Sequence, residues 1–74
     1  MRFTLPTAAD VRIALTDVTG REVARPVDAR LDAGPHEAEW TARDAAGREL
    51  KSGLYFAILS SGGERRVERL VIAR

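Results

Sequence analysis

The aromatic side chains of this chain are concentrated in one stretch, residues 40–56, and their arrangement there limits the possible folds. The single tryptophan, Trp40, comes before a polar segment with two glycines, and Tyr55 and Phe56 come after it. Within that segment Asp44 and Gly47 favour a type I turn, because an aspartate at the first position accepts backbone N–H groups and a glycine at the fourth tolerates positive φ. The stretch therefore predicts a strand, a tight turn region and a second strand.

Length and composition favour one small globular domain. A chain of 74 residues buries only about 60–65% of its unfolded surface, which leaves room for a single core. The hydrophobic fraction of 45% is too high for general disorder, and the apolar runs are too short for a membrane-spanning helix. The absence of cysteine excludes disulfides and thiolate metal sites.

The charges argue against a nucleic-acid partner and give no sign of a secretory signal. Twelve basic and eleven acidic residues alternate along the chain and leave a net charge of +1, so no broad cationic field is expected. The N-terminal residues lack a hydrophobic run followed by a cleavage site. If the domain works outside the cell, we expect its signal peptide to belong to a longer parent protein.

Short alternating segments separated by turn residues predict an all-β fold. Apolar residues alternate with polar ones from Asp10 to Thr16, and the run Leu54 to Leu59 is apolar on both faces, as expected for a central strand. No window has a helical period. We therefore predict an antiparallel, immunoglobulin-like β-sandwich of six to seven strands. The predicted strands are 2–5, 10–16, 21–24, 36–40, 54–59 and 64–73, with hairpin turns at 17–20 and 60–63, a loop at 25–35 whose Val27 and Leu31 plug into the core, and a core centred on Val11, Ile13, Leu15, Trp40, Phe56, Leu70 and Ile72.

Three features of the second half leave alternatives open. Val67 and Leu70 lie an odd number apart, so the last strand contains a β-bulge or is partly covered on both faces. Tyr55 is expected on the outer side of its strand, pointing away from Phe56. There it is either covered by the 25–35 loop or serves as an interface anchor. The charged segment 64–69 is either a solvated edge that resists pairing or a docking surface for an acidic partner.

The candidates for catalysis or metal binding have simpler structural interpretations. His36 is the only histidine, and the serines lie in an exposed turn, so no nucleophile, base and orienting group are expected to converge. Asp17 and Asp44 share the pattern D-x-x-G-R-E, which we interpret as two uses of one turn chemistry. Their spacing is not that of an EF-hand calcium loop. The sequence predicts a protein that is not an enzyme and has no cofactor or metal.

Five sequence segments together resemble a known family. They are F-T-L-P (3–6), V-x-I-x-L-x-D-V-T-G-R-E-V (11–23), L-D-A-G-x-H-E-x-E-W (31–40), D-A-A-G-R-E-L-x-S-G-L-Y-F (44–56) and L-V-I-A-R (70–74). In order and spacing they are similar to the type A C-terminal sorting domain of the bacterial type IX secretion system. The immunoglobulin-like domain of the flagellar hook-capping protein has the same pattern.

The resemblance implies a role as a secretion and sorting signal. Domains of this family are seven-stranded sandwiches that end an exported cargo protein. A shuttle protein recognises them at the outer membrane, and a sortase removes them and attaches the cargo to the cell surface or releases it. The implied location is thus secreted or cell-surface, reached through the periplasm. The positions that match the family's signal elements are Gly53, Tyr55 and Phe56, and in the last strand Arg69, Leu70, Val71, Ile72 and Arg74.

Other functions stay open at this stage. The chain could be a structural assembly module of the hook-capping type, or an excised or engineered sandwich scaffold. A generic sandwich that binds carbohydrate would need a row of exposed aromatic residues, for which only Tyr55 is a candidate.

Overall fold

Six strands and no helix make up the computed structural model, which describes residues 1–39 and 42–73. The prediction of an all-β antiparallel sandwich of six to seven strands is confirmed. The strands are β1 (Arg2–Leu5), β2 (Ala9–Thr16), β3 (Glu22–Leu31), β4 (Gly34–Glu37), β5 (Gly53–Ser61) and β6 (Glu64–Ile72).

The strands form two antiparallel sheets that pack together. One sheet has two strands, β1 and β4, and the other has four in the order β3-β2-β5-β6. Leu59 of β5 lies opposite Ile13 of β2, so the apolar residues of the two central strands share one face. That face packs against Phe3 and Leu5 of β1 and forms the main core cluster. We call it the inner face of the large sheet, and the opposite side the outer face.

The alternation predicted in β2 is confirmed. Val11, Ile13 and Leu15 are almost completely buried, with exposed fractions of 1%, 2% and 0%. Fully burying a side chain of this size stabilises the fold by about 1.5–3 kcal/mol. The burial of these three side chains therefore stabilises the fold where the central strands β2 and β5 meet.

The small sheet covers one end of the inner face, and residues 42–52 lie at the other end. Leu50 is buried there. The Ala45 amide donates to the Val23 carbonyl at 3.1 Å, which connects this segment to β3. The Tyr55 hydroxyl donates to the Lys51 carbonyl at 2.8 Å, which connects it to β5. The segment thus closes the part of the core that β1 and β4 do not reach.

Both predicted hairpins are confirmed, but the second turn is shorter than the predicted 60–63, because Ser60 and Ser61 still belong to β5. Gly62 and Gly63 join β5 to β6 with φ values of 55° and 83°, which is the conformation of a two-residue type I′ turn. The turn between β2 and β3 closes through a hydrogen bond from the Gly20 amide to the Asp17 carbonyl at 3.0 Å. Both turns therefore contain the turn-forming residues from which they were predicted.

The predicted loop at 25–35 is wrong, because β3 continues to Leu31. Val27 lies opposite Ile13 and Leu31 lies opposite Ala9 across the sheet. Pro26 suggested a loop, but β3 is an edge strand, where a missing N–H is tolerated. Val27 and Leu31 do pack against the core cluster, as predicted.

The predicted centre of the core needs correction at Phe56. Tyr55 and Ala57 are buried on the inner face, whereas Phe56 is only half-buried and lies on the outer face. β5 is apolar on both sides, so its pairing with β2 decides which side faces inward. Leu70 and Ile72 lie on the inner face but are half-buried, because β6 is an edge strand. Trp40 lies outside the described residues.

Strands β4 and β6 differ from expectation in detail. β6 pairs with β5 in an unbroken register from Glu64 to Ile72, so there is no β-bulge, and Val67 and Leu70 simply lie on opposite faces. β4 ends at Glu37 and is shorter than predicted, although His36 and Ala38 are partly buried while Glu37 and Glu39 are exposed.

Candidate protein-interaction surface

The structure brings most of the predicted signal residues together on the β5–β6 hairpin. Gly53 pairs with Ile72, Tyr55 with Leu70, Leu54 with Val71 and Phe56 with Arg69. Arg74 lies outside the described residues. The seven others occupy the end of the hairpin far from its turn, but they are divided between its two faces.

On the inner face, the hairpin residues have structural contacts. Tyr55 is only 8% exposed, and its hydroxyl is bonded to the Lys51 carbonyl. It is therefore neither covered by a 25–35 loop nor available as a surface anchor. Gly53 has a φ of 155°, and Cβ at this position would lie 4.0 Å from the Tyr55 ring, so backbone conformation rather than space favours glycine.

On the outer face, the hairpin presents an apolar strip. Leu54, Phe56 and Ile58 are half-buried along β5, and Val67 and Val71 beside them on β6 are 52% and 74% exposed. In residues 1–39 and 42–73 no second sheet packs on this side. A contiguous apolar strip of this kind is typical of a contact site.

Two arginines border this strip, and they differ from the other arginines. Arg65 and Arg69 lie on the outer face opposite Ser60 and Phe56. Among the described residues they are the only arginines without a carboxylate partner. The other eight, Arg2, Arg12, Arg21, Arg25, Arg30, Arg43, Arg48 and Arg66, each lie within 4 Å of an aspartate or glutamate. The outer face of β6 therefore carries positive charge that the described part of the fold does not neutralise.

The backbone of β6 adds hydrogen-bonding groups along the same edge. Ser61 and Glu64 flank the two-residue turn and so form a hydrogen-bonded pair, after which such pairs recur at every second residue. The backbone groups of residues 64, 66, 68, 70 and 72 therefore point to β5. Those of Arg65, Val67, Arg69 and Val71 point away from the sheet. The same four residues direct their side chains to the outer face.

Sequence reasoning missed Leu54 and Ile58 as members of this surface, and it included Arg65 and Val67 only within the charged segment 64–69, for which a docking surface was one of two interpretations. The signal that could have assigned Arg65 and Val67 to one face is the alternation of arginine and valine at 65, 67, 69 and 71, which places four residues on the same side of a strand. It was hidden because Leu70 and Ile72 give the strand apolar residues on the other face too.

The two aspartates considered as metal ligands serve as turn caps. Asp17 Oδ1 accepts hydrogen bonds from the Thr19 hydroxyl at 2.6 Å and from the Thr19 and Arg21 amides at 2.9 and 3.1 Å. These hydrogen bonds, first of all that from the Thr19 side chain, lower the pKa of Asp17. They stabilise the ionised carboxylate in the turn.

Asp44 has the same arrangement. Its Oδ1 accepts the amides of Ala46 and Arg48, both at 2.9 Å, and the bond from the Arg48 amide is the main cause that lowers the pKa of Asp44. The interpretation of one turn chemistry used twice is confirmed. Within the described ranges there is no group of three or more histidine, aspartate or glutamate residues that could hold a metal ion.

His36 packs as a structural side chain. Its ring stacks on Phe3 with centroids 5.5 Å apart, and Nε2 lies 2.7 Å from the Asp32 carbonyl oxygen. Both contacts are with groups that carry no catalytic chemistry.

Comparisons with known proteins give no relatives. No family model matches the chain, and neither the curated proteins nor the solved structures contain a significant match. The 1–39 and 42–73 ranges hold no helix long and apolar enough to cross a membrane.

Proposed function

We propose that this domain is a sorting signal of an exported bacterial protein, recognised by the type IX secretion machinery through the outer face of the β5–β6 hairpin. The observation that carries the proposal is the position of Phe56, Arg69 and Val71. All three match the family's signal elements, and all three lie on the outer face of the large sheet, which no second sheet covers in residues 1–39 and 42–73.

The proposal divides the signal residues by role. Phe56, Arg69 and Val71 contact the partner. Tyr55, Leu70 and Ile72 lie on the inner face and hold the hairpin in place. Gly53 permits the backbone conformation at the start of β5. On this view the domain carries no catalytic residue and needs no cofactor.

The partners in this proposal are proteins. A shuttle protein at the outer membrane binds the domain, a sortase separates it from an upstream cargo protein, and the cargo reaches the cell surface or the medium. A small sandwich whose large sheet presents an apolar and basic outer face suits this role, because recognition needs a surface that is accessible without unfolding.

An export assay tests the proposal. Residues 1–74 are fused behind a signal peptide and a fluorescent reporter in a bacterium with a working type IX system, and fluorescence is measured in the periplasm, on the surface and in the medium. We expect the reporter to leave the periplasm. Retention there with a folded domain would contradict the proposal.

A matched pair of variants separates recognition from folding. R69E/V71D changes the outer face of β6, and we expect it to block export while the circular dichroism spectrum is unchanged. R30E/V18D makes the same chemical changes at exposed positions on β3 and the β2–β3 turn, and we expect export to continue. Point variants are preferable to deleting 69–74, since Arg69 to Ile72 pair with β5 and their loss would disturb the fold.

An assembly module of the hook-capping type is the second candidate, since an uncovered sheet face also suits contact between subunits. It predicts that the isolated domain binds neighbouring subunits of a filament rather than secretion proteins. Failure of export together with co-sedimentation of the domain with assembled flagellar hooks would favour this alternative.

A further inference from the structure

The two edge strands of the large sheet are protected to different degrees. β3 has the features that prevent pairing with another strand: Pro26 lacks an N–H, and the register with β2 shifts twice, between Ile13 and Leu15 and between Leu15 and Thr16. Arg25 on β3 is also held between Glu22 and Asp28, at 3.1 and 3.2 Å. This edge is irregular, and its charges are neutralised.

The β6 edge lacks the proline and the register shifts of β3, although it also contains an ion pair, between Arg66 and Glu68 at 3.0 Å. It has no proline or glycine over nine residues, and its register with β5 is unbroken. Its outward-pointing backbone groups at Arg65, Val67, Arg69 and Val71 form a regular row. Since proteins usually block such edges, a long regular edge is the one suited to accept an added strand.

From this asymmetry we propose that the β6 edge binds an extended segment of another protein, in which acidic and apolar residues alternate, as an added antiparallel strand. The added strand pairs with the outward backbone groups of β6. Its acidic side chains lie opposite Arg65 and Arg69, and its apolar side chains lie opposite Val67 and Val71.

Charge complementarity favours this occupant, and it disfavours the pairing of two copies of the chain that is centred on Val67. An antiparallel pair of β6 strands centred on Val67 would place Arg65 of one copy opposite Arg69 of the other. Like charges directly opposite each other destabilise a sheet, whereas opposite charges stabilise it. Arg65 and Arg69, which have no carboxylate partner in the described part of the chain, therefore favour an acidic segment.

This inference deepens the proposed function, on which it rests for the role of the surface, because it names the chemistry of the partner. It is tested with the purified domain and synthetic peptides. Its failure would therefore leave the export assay unaffected, and failure of export would not decide whether the peptide binds.

The probe is the peptide VTETVTE, which places valine opposite Val71 and Val67 and glutamate opposite Arg69 and Arg65. We expect it to bind the 74-residue domain in fluorescence anisotropy. In NMR spectra we expect the largest amide shift changes at residues 65, 67, 69 and 71. Two control peptides are VTKTVTK, which reverses the charge, and VVTTTEE, which keeps composition and charge but loses the alternation. Both are expected to bind at least about tenfold more weakly, a difference near 1.4 kcal/mol.

Protein variants test the charge and the backbone separately. R65E/R69E is expected to lose VTETVTE and to gain VTKTVTK, whereas R30E/R43E has the same net charge and should bind like the parent. Val67→Pro removes one outward N–H without removing a bond to β5, and is expected to weaken binding while the β5–β6 amides stay protected.

Several outcomes would overturn the proposal. Equal binding of VTETVTE and VVTTTEE would mean charge attraction without strand pairing. Shift changes centred on β3 would place the site on the other edge. Binding to vesicles of phosphatidylglycerol but not to the peptide would identify the face as a lipid-binding surface, and concentration-dependent dimerisation that involves β6 would identify a second copy as the occupant.

Discussion

Tyr55 and Phe56 are neighbours in the chain, yet they have different structural roles. Tyr55 is buried on the inner face with its hydroxyl bonded to Lys51, and Phe56 is half-buried on the outer face. Because strand residues alternate between faces, one position in the sequence separates a core residue from a candidate contact residue.

Substitutions at these two positions should differ in cost. Tyr55→Ala removes a buried ring and is expected to lower the free energy of unfolding by about 3–5 kcal/mol. Phe56→Ala should cost about 1–2 kcal/mol, because half of the ring is already in contact with water. Chemical denaturation of both variants measures the difference. Equal costs would mean that the outer face is covered in solution.

The hydroxyl of Tyr55 can be tested alone. Tyr55→Phe leaves the ring in place and removes the donor to the Lys51 carbonyl, so we expect a loss of about 0.5–1.5 kcal/mol. Denaturation of the variant gives the value. A stability equal to that of the parent would show that residues 42–52 do not depend on this bond.

The turn aspartates predict a pH dependence with a definite sign. The pKa values of Asp17 and Asp44 are lowered in the folded protein by the hydrogen bonds that each carboxylate accepts. Their stabilisation is therefore present above the unfolded-state pKa of about 3.9 and is lost as pH falls through the folded-state value. The melting temperature should therefore decrease as the pH is lowered below about 5.

The D17N/D44N variant should reduce that dependence. Asparagine retains an acceptor oxygen but not the charge, so we expect a lower melting temperature at pH 7 and a flatter profile below about pH 4. Asp32→Asn removes one exposed carboxylate outside both turns and is the control. A profile for D17N/D44N as steep as that of the parent would contradict the role of these caps.

At the scale of elements, the β5–β6 turn shows which glycine matters more. Gly62 and Gly63 both have positive φ, but asparagine followed by glycine is also a favoured type I′ sequence. Gly62→Asn should therefore keep the stability within about 0.5 kcal/mol, and Gly63→Val should lower it by about 1–2 kcal/mol or more. Thermal unfolding of the pair measures this. Equal losses would argue against a type I′ turn.

Hydrogen exchange tests the direction of the β6 backbone groups. The amides of residues 66, 68 and 70 donate to β5 and should exchange slowly, whereas those of 65, 67, 69 and 71 face solvent and should exchange quickly. NMR exchange spectra would show this alternation. Uniform protection along β6 would mean that the edge is already paired in solution.

Sequence reasoning succeeded where one face of a strand is apolar and failed where both are. The alternation of Val11, Ile13 and Leu15 predicted β2 and its buried face. β5 is apolar on both sides, so the inner position of Tyr55 follows only from its pairing with β2, which no local pattern reports. β3 was shortened because Pro26 is compatible with a strand only at an edge, and edge position is a property of the whole sheet.

The candidate surface was predicted only in part, because local sequence patterns do not show which face of a strand is outward. Motif resemblance selected Phe56, Arg69 and Val71, but also Tyr55 and Leu70, because a motif does not distinguish the two faces of a strand. Among the described residues Arg65 and Arg69 have no carboxylate partner, and this depends on where each aspartate and glutamate lies after folding. It therefore cannot be read from a local sequence.

In the molecule as a whole, two different elements complete one core. The small sheet covers the end near Leu5, and residues 42–52 cover the end near Leu15 and Tyr55 through Leu50. A domain of this size has little stability to spare, so we expect the two ends to unfold together.

This expectation predicts similar effects of Leu5→Ala and Leu50→Ala. Each should lower stability by about 2–5 kcal/mol, which corresponds to a melting temperature lower by about 10 °C or more. Each variant should still unfold in a single transition in circular dichroism and tryptophan fluorescence. If Leu50→Ala melts like the parent, residues 42–52 are not part of the cooperative core.

The alternation along β6 also has a consequence for protein engineering. The backbone groups of residues 66, 68, 70 and 72 bond β6 to β5. At residues 65, 67, 69 and 71 the backbone groups point to the open edge and the side chains point to the outer face. A library randomised at the four outward positions would vary what the domain recognises and keep the interactions that specify its architecture. Most members of such a library are expected to fold, so selection would act mainly on ligand binding.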